Sequence, residues 1–500
     1  MALTKAHNRM LSFAPSSADG IVNFEELESE VLVSDAISVN ANLSYFNVPH
    51  TVFKQSDGAN ISNLITINLS NSLYTRIGNL NLYVDGNKDN NTAVTGIKVT
   101  ELKRNSNYAS LSASDCDVGV HITDQVETAK LDIYADNCGT GLLIDTDDTV
   151  TPDELNINLL AHSCDTFFET SGNNKTSGTI TFGCEQSNGT AVKINQGYWG
   201  IYGVIRGCCT NTLGTALKIE QDATSVPANV PYVSGNITVF GGDDVNCEWA
   251  ADISDATIDG LQVNINGSFA SGCKIHNITA GSARVKVNAV AASGNDLEIG
   301  STSAPASAFN LLAGSRANTV NMIDARRCVL DFEFLSSLTI SSSSFDNTVY
   351  IPRQYAETVS FTNNRSAGDN KIILRGNYTL AELNSLNGGT DGSGCFKGME
   401  AEGCATFDQT RAYFDGIQWV PSHGALASGQ LTISSGTKSG STAHGLSYDP
   451  GNLTLSFYSN SNPSGSGQFQ GNVTTTNVVV IAENNVTSDV VINWVLRKED

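Results

Sequence analysis

Basic residues are scarce in this chain of 500 residues. It contains 28 Lys and Arg against 51 Asp and Glu, which gives a formal net charge of −23 at pH 7. This charge repels phosphate backbones and anionic lipid headgroups, and it removes the attraction on which most nucleic-acid binding depends. We therefore predict that the protein does not bind nucleic acid.

Long apolar runs are missing as well. The chain has no stretch of 18 or more apolar residues, and its opening, MALTKAHNRMLSFAP, lacks the long apolar segment of a signal peptide. We expect a soluble protein that is made in the cytoplasm and does not insert into a membrane.

The sequence also lacks the usual motifs for disulfides, metals and cofactors. Its eleven cysteines are an odd number and include no CxxC pair, which argues against a disulfide framework or a zinc knuckle. Five carboxylates within residues 145–154 lack the spacing of a calcium-binding loop, and no P-loop or dinucleotide fingerprint is present. We predict buried, reduced thiols, no metal and no cofactor.

What the chain does contain is a repeat. A small or polar residue followed by an apolar-x-apolar triplet occurs twelve times, at steps of 22 to 34 residues. The copies begin at Gly96, Gly119, Gly141, Thr166, Ala191, Ala216, Ala250, Gly272, Asp296, Thr319, Thr348 and Lys371. A period of this size indicates one supersecondary unit that stacks on its neighbours.

Most copies follow a second short segment in which apolar and polar residues alternate, such as LNINL at 155. Only 16% of the residues are charged, and Asn, Ser, Thr and Gly are abundant, which suits short strands and polar turns. We therefore predict an all-β protein whose main part is a right-handed, single-stranded parallel β-helix. In that fold Val192 and Leu217 would be neighbours on successive coils.

Four segments resemble bacteriophage tailspikes and tail fibres. The opening ALTKAHNRMLSFAP, residues 2–15, is similar to the start of such proteins, and FDQTRAYFDGIQWVP, residues 407–421, resembles a segment near fibre C-termini. NLNLYVDGNKD, residues 79–89, resembles the first coils of pectate-lyase-like β-helices. The end of the chain, from STAHGLSYDPGNLTL to VVINWVLRK, resembles small C-terminal β-sandwich modules.

The resemblance implies a homotrimer that is attached to the virion tail through its N-terminus. Such a protein is made in the host cytoplasm and acts at the bacterial cell surface, where its partner is a bacterial surface polysaccharide. The implied fold agrees with the repeat.

Changes of pattern along the chain predict five parts. Residues 1–20 would be a virion-attachment segment, 21–60 an N-terminal cap of the solenoid, and 61–375 the parallel β-helix. Residues 376–423 include a Gly-rich stretch and would be a neck or linker. Residues 424–500 alternate in a way that predicts a small antiparallel β-sandwich, acting in trimerisation or as a glycan-binding tip.

Candidate catalytic residues come from aligning the copies on their first apolar residue. Four acids then fall at matching positions and would form one outward column: Asp136, Glu185, Asp243 and Asp244. His162, Asp165 and Arg206 lie on the coils between them. Successive acids would be roughly 9 to 10 Å apart at the usual strand spacing, near the range of about 6.5–9.5 Å found in inverting glycosidases. Solvated turn residues are the alternative interpretation.

Candidates for carbohydrate binding lie in the same part of the chain. They are Tyr198, Trp199, Arg206 and Trp249. Sugars stack on exposed aromatic rings, but rings that fill the core of the solenoid would have the same sequence signature.

Two functions stay open at this point, and a cellular pectate-lyase-like enzyme is a third, less favoured option, because such enzymes are exported and no signal peptide is indicated. The first is a receptor-binding tail fibre or tailspike, in which three copies act together on a repeating glycan. The second is an endo-acting polysaccharide depolymerase, a glycosidase or a lyase, on the same scaffold. The first is favoured because no carboxylate pair stands out from the acidic background.

Overall fold

The structure is a computed structural model that divides into two compact units, Met1–Asn347 and Thr348–Asp500. It describes residues 20–23, 30–40, 43–69, 78–102, 108–126, 129–146, 154–172, 176–209, 214–221, 230–241, 247–266, 269, 271–278, 284–288, 296–356, 359–363, 370–386, 399–405, 410–414, 419–421, 425–443, 453–459, 468–474 and 477–498. The predicted attachment segment, apart from residue 20, lies outside this set.

The first unit is built from short strands. They are β1 (Gly20–Asn23), β2 (Glu30–Val33), β3 (Ile37–Asn40), β4 (Leu43–Gln55), β5 (Asn63–Leu69), β6 (Gly78–Asp85), β7 (Thr95–Leu102), β8 (Tyr108–Ser114), β9 (Val118–Val126), β10 (Lys130–Asp136), β11 (Thr140–Thr146), β12 (Leu155–His162), β13 (Thr166–Gly172), β14 (Ser177–Glu185), β15 (Val192–Ile194), β16 (Tyr198–Arg206), β17 (Gly214–Ile219), β18 (Tyr232–Phe240), β19 (Cys247–Ser254), β20 (Thr257–Asn266), β21 (Ser271–His276), β22 (Arg284–Asn288), β23 (Leu297–Ile299), β24 (Ala306–Ser307), β25 (Asn310–Met322), β26 (Ala325–Arg326) and β27 (Val329–Ile340).

These strands pair in parallel with the next strand but one, so each coil adds one strand to each of two ladders. Face A is the ladder of even-numbered strands from β6 to β22, and face B is the ladder of odd-numbered strands from β5 to β23. The predicted parallel β-helix is therefore confirmed.

The core consists of the inward residues of both ladders. Along β12, buried and exposed residues alternate strictly, as expected for a strand with one face on a core. Val192 lies opposite Leu217 and Ile194 opposite Ile219, and all four side chains are fully buried. The predicted contact between Val192 and Leu217 is thus confirmed, and each such side chain contributes roughly 1.5–3 kcal/mol by leaving water.

For one copy of the repeat, the register predicted from the sequence is wrong by one residue. The pattern placed Phe167 at the first apolar position of the copy that begins at Thr166, but Leu142 lies opposite Phe168. Phe167 therefore takes the position that Gly141 has in the coil before it. Both phenylalanines are fully buried, so the apolar pattern alone could not decide between them.

A left-handed residue ends the face A strand of several successive coils. The φ angles lie between 50° and 65° at Asp115, Asn137, Ser163, Gln186 and Gly207. The residue after each of them is buried, and these are Cys116, Cys138, Cys164, Ser187 and Cys208. This corner fixes where the strand ends and turns the next side chain inward. All ten cysteines that the structure describes are buried, as predicted.

The second unit begins with further parallel strands and ends with antiparallel ones. Its elements are β28 (Asn347–Pro352), α1 (Arg353–Ala356), β29 (Ser360–Asn363), β30 (Asn370–Tyr378), α2 (Leu380–Ser385), β31 (Glu400–Cys404), β32 (Thr410–Phe414), β33 (Trp419–Pro421), β34 (Ala425–Ile433), β35 (Ser439–Ala443), β36 (Leu453–Ser459), β37 (Phe469–Val473), β38 (Asn477–Ala482) and β39 (Val490–Lys498). In the described part of the chain, no helix is long and apolar enough to cross a membrane.

The C-terminal part is the predicted small sandwich. Two antiparallel sheets, β34-β39-β36 and β35-β38-β37, enclose one apolar core that includes Leu431, Val480 and Trp494. The domain boundaries drawn from the sequence stay predictions. Parallel pairs also involve β1 to β3, within the predicted cap, and β31, within the predicted neck.

Candidate functional site

The outward residues at the end of the face A strands form a column across four coils. Asp136 lies opposite His162, His162 opposite Glu185, and Glu185 opposite Arg206. We call these four residues the end column. The sequence alignment predicted one column for Asp136 and Glu185, with His162 and Arg206 on the neighbouring coils, and the roles of these residues stay predictions.

The groups of the end column differ in how they are held. His162 Nδ1 lies 2.9 Å from Asp136 Oδ1, so these two exposed side chains form an ion pair when the histidine is protonated. The Arg206 guanidinium lies over the Phe240 ring at 5.3 Å. The Glu185 side chain is exposed and has no ion pair or hydrogen bond within the described residues. Glu185 is thus the acid of the column that is available to a ligand.

The structure does not test the other two candidate acids. Asp243 and Asp244 lie outside the described residues, and Phe240 is the residue opposite Arg206 in that coil. Asp165 lies beyond the corner, where its carboxylate accepts a hydrogen bond from the Asn188 amide at 2.9 Å. The described pair of carboxylates is therefore Asp136 and Glu185, two coils or about 9.6 Å apart.

Beside the end column, face A has an open groove of about 530 Å³. One side is a polar row made by successive coils, namely Ser110, Asp132, Asn158 and Thr181. The other side carries Tyr134, Leu160 and Gly183, which occupy one register position in three coils. A pocket of this size with apolar surface and a few placed polar groups is typical of ligand sites.

Two apolar side chains are exposed in the groove, where the alternation of a strand predicts polar residues. The exposed fraction is 39% for Tyr134 and 59% for Leu160, although both occupy outward positions where polar residues are expected. Gly183 leaves a step beside Leu160, since a β-carbon there would meet only Leu160 Cδ2, at 3.3 Å. Burial and the nearby Asp136 carboxylate raise the pKa of the Tyr134 hydroxyl above its ordinary value.

Two of the aromatic candidates, Trp199 and Trp249, are buried, which corrects the prediction that they bind carbohydrate. Trp199 is only 1% exposed, and its indole N–H donates to Thr176 Oγ1 and to the Gln196 carbonyl. It fills the core, because it occupies an inward position of β16. Trp249 is also buried, with the Lys274 ammonium 5.5 Å from its ring. Neither ring presents a face for a sugar to stack on.

Tyr198 is exposed but lies away from the end column. Its ring is 5.7 Å from that of Tyr232, whose hydroxyl donates to Asp259 at 2.8 Å. Tyr198 and Arg206 are at opposite ends of β16, and the eight steps between them along a strand amount to about 26 Å. The structure therefore does not bring Tyr198 and Glu185 together.

The sequence analysis missed the residues that form the groove. Tyr134 and Leu160 each interrupt an alternating strand, in LDIYAD and LNINLLAH, with an apolar residue at an outward position. That interruption is the signal that could have identified them. Within the described residues, the one set of three ligand-type side chains close enough to share an ion lies away from the groove and consists of Cys208, Cys209 and Cys247.

Comparisons with known proteins give matches at the level of structure. No protein-family model matches the chain, and no curated protein matches it. The tailspike protein of E. coli bacteriophage HK620, solved in complex with a pentasaccharide, aligns at 10% identity over 99% of this chain and 89% of its own, with a TM-score of 0.25. Two variants of that tailspike align over the same shares at 10% and 9% identity, with TM-scores of 0.29 and 0.31.

Proposed function

We propose that the protein is a bacteriophage tailspike or tail fibre that adsorbs to a bacterial cell by binding a surface polysaccharide along face A. The observation that carries this proposal is the groove beside the end column. The resemblance of residues 2–15 and 407–421 to segments of phage fibres supports the place of the protein in a virion tail.

The lining of the groove suits a sugar. A pyranose ring has apolar C–H faces and a rim of hydroxyl groups, so it needs an apolar surface next to hydrogen-bonding groups. Tyr134 and Leu160 supply the surface, while Asp132 and Thr181 supply acceptors and a donor in the adjacent row. The next coil repeats this arrangement after about 4.8 Å, which favours a ligand that is itself a repeating chain.

We further propose that three chains assemble and that the N-terminus attaches to the virion. A solenoid leaves open strand edges at its ends, and a small terminal sandwich gains stability from partner copies. Three parallel copies would also raise the avidity for a polysaccharide that offers many identical epitopes. Light scattering should give the mass of three chains at micromolar concentration, and the mass of a single chain would contradict this assembly.

A second candidate function is depolymerisation of the bound glycan. The feature that favours it is the pair of carboxylates in the end column. Asp136 and Glu185 lie about 9.6 Å apart, at the upper edge of the separation that inverting glycosidases use for a carboxylic acid and a base. Glu185 is free to contact a substrate, and Asp136 is oriented by His162. In that reaction one carboxyl group protonates the leaving oxygen while the other activates water.

The binding proposal is tested by comparing two tyrosines in the same outward position. Tyr134 lines the groove, whereas Tyr83 lies two coils away at the same register, is 37% exposed, and does not line it. Affinity is measured against purified capsule and O-antigen polysaccharides from candidate hosts. Tyr134→Ala should weaken binding of the recognised glycan by about 1–2 kcal/mol, roughly 5- to 30-fold, and Tyr83→Ala should not change it.

Equal effects of the two substitutions would place binding outside the groove. If face A instead contacted a partner copy of the chain, Tyr134→Ala would change the oligomer mass rather than the glycan affinity.

A further inference from the structure

Three buried cysteines in the first unit form a cluster that the glycan site does not use. Cys208 and Cys209 follow β16, and Cys247 is the first residue of β19 on the next coil. The Cys247 Sγ lies 3.6 Å from that of Cys208 and 3.4 Å from that of Cys209, and the three sulfurs all lie within 4.8 Å of one another. None of the three residues has surface exposed to solvent.

The cluster differs from the other stacked cysteines in its geometry. Cys116, Cys138 and Cys164 supply one thiol per coil, so they form a line whose ends are two coils or about 9.6 Å apart. In the next coil the same corner position is occupied by Ser187. Two consecutive thiols from one coil and one from the following coil make a triangle instead of a line.

The backbone at Cys209 departs from what a cysteine usually adopts. Its φ angle is 57°, in the left-handed region that a β-carbon disfavours. Its N–H donates to Ser187 Oγ at 3.3 Å, and its sulfur faces the Cys247 sulfur. Strained positions of this kind are often found at functional sites.

We propose that Cys208, Cys209 and Cys247 form a binding site for a soft, three-coordinate metal cation of the Cu(I) type. Thiolates select soft ions such as Cu(I). A cation bonded to three sulfurs at about 2.3 Å in one plane separates them by about 4.0 Å, which falls within the spread of the cluster. Zinc normally takes a fourth ligand, and within the described residues no histidine or carboxylate joins these thiols.

Hydrogen bonds among the three thiols shift the pKa values of two of them. Hydrogen bonds from Cys208 and Cys209 lower the pKa of the Cys247 thiol, while its hydrogen bonds to the other two thiols raise the pKa of Cys208. Because binding displaces protons from the thiols, the affinity for the cation should fall as the pH is lowered.

The test is anaerobic titration of the full-length, fully reduced protein with Cu(I) in the presence of a competing Cu(I) chelator. The wild type should retain one Cu(I) per chain, with three sulfur neighbours by X-ray absorption. Cys209→Ser and Cys247→Ser should each lose that ion. Cys138→Ser, in the linear stack of thiols, is the matched control and should keep it. Melting temperatures of the metal-free variants show whether each one is folded.

Three results would overturn the proposal. The first is retention of Cu(I) by folded Cys209→Ser at the wild-type level. The second is retention of Zn(II) in place of Cu(I) with a fourth ligand. The third is the loss of two free thiols per chain in the absence of metal, which would mean that two of these cysteines form a disulfide.

Discussion

The two faces of the solenoid belong to the same coils, but their outward side chains differ in kind. On face B, one outward position carries charged residues that pair across coils, such as Lys193 with Glu169 at 3.4 Å and Lys274 with Glu298 at 3.7 Å. On face A, the corresponding surface exposes Tyr134 and Leu160, together with Glu185, whose side chain has no partner within the described residues.

We interpret face B as a structural surface and face A as the proposed binding surface. Exposed ion pairs contribute only about 0–1 kcal/mol each, but they occupy the polar groups of face B with one another. Face A leaves apolar surface and a carboxylate without partners within the described residues, and such groups gain most from a ligand. The comparison supports the proposal that the ligand binds on face A, and the substitutions below test that proposal.

The largest effect is expected from a glycine inside face A. Gly203 has a φ angle of 144°, and a β-carbon there would lie 2.0 Å from the Phe182 carbonyl oxygen. Gly203→Ala should therefore destabilise the coil by roughly 3 kcal/mol or more, through backbone strain and overpacking. Soluble yield and melting temperature measure the loss.

Gly183→Ala is the matched control, because its β-carbon would meet only the end of the flexible Leu160 side chain. It should melt within a few degrees of the wild type. Equal losses in the two variants would show that face A tolerates no added atom, and that the groove is not an open step.

Glu185→Gln distinguishes the two candidate functions. If face A cleaves its glycan, the amide cannot transfer the proton, and the rate at which reducing ends appear should fall by about 10² to 10⁴. If face A only binds, no cleavage occurs in either protein and the affinity should change by about 1 kcal/mol. Glu169→Gln on face B serves as the control, since Glu169 pairs with Lys193. Wild-type cleavage that Glu185→Gln leaves unchanged would rule Glu185 out as a catalytic residue.

A smaller effect on glycan affinity is expected when one leucine on each face is substituted. Leu160 lines the groove, and Leu143 occupies an outward position of face B between His121 and Glu169. Leu160→Asn should weaken glycan binding by about 1 kcal/mol, or roughly 5-fold, because it removes apolar contact area. Leu143→Asn should leave the affinity unchanged, and isothermal titration with an oligosaccharide of the recognised glycan measures both. A loss of affinity in Leu143→Asn alone would reverse the assignment of the two faces.

Much of the fold could be predicted from the sequence because a solenoid repeats its constraints. The spacing between Gly189 and Gly214 predicts the contact of Val192 with Leu217, since successive coils must superpose their core residues. The same alignment placed Asp136 and Glu185 in one column. It erred at Phe167, where two adjacent phenylalanines allow either register and only packing selects one.

The site was harder to predict, since a side chain's exposure depends on which face of its strand points inward. Tyr198 and Trp199 are adjacent on one strand, so their side chains point to opposite faces and only one of them can be buried. The structure buries Trp199, which has the larger ring, and exposes Tyr198. The groove also depends on Gly183, where a missing side chain creates the space. Coil stacking, not local sequence, brings Cys247 to Cys208 and Cys209.

A crystal structure of the protein with an oligosaccharide of the polysaccharide that it binds tests the central claim most directly. The account predicts sugar rings on face A, over Tyr134, Leu160 and Gly183, with hydroxyl groups toward Asp132 or Thr181 and one glycosidic oxygen near Glu185. Sugar bound on face B, or on the C-terminal sandwich with an empty groove, would contradict it.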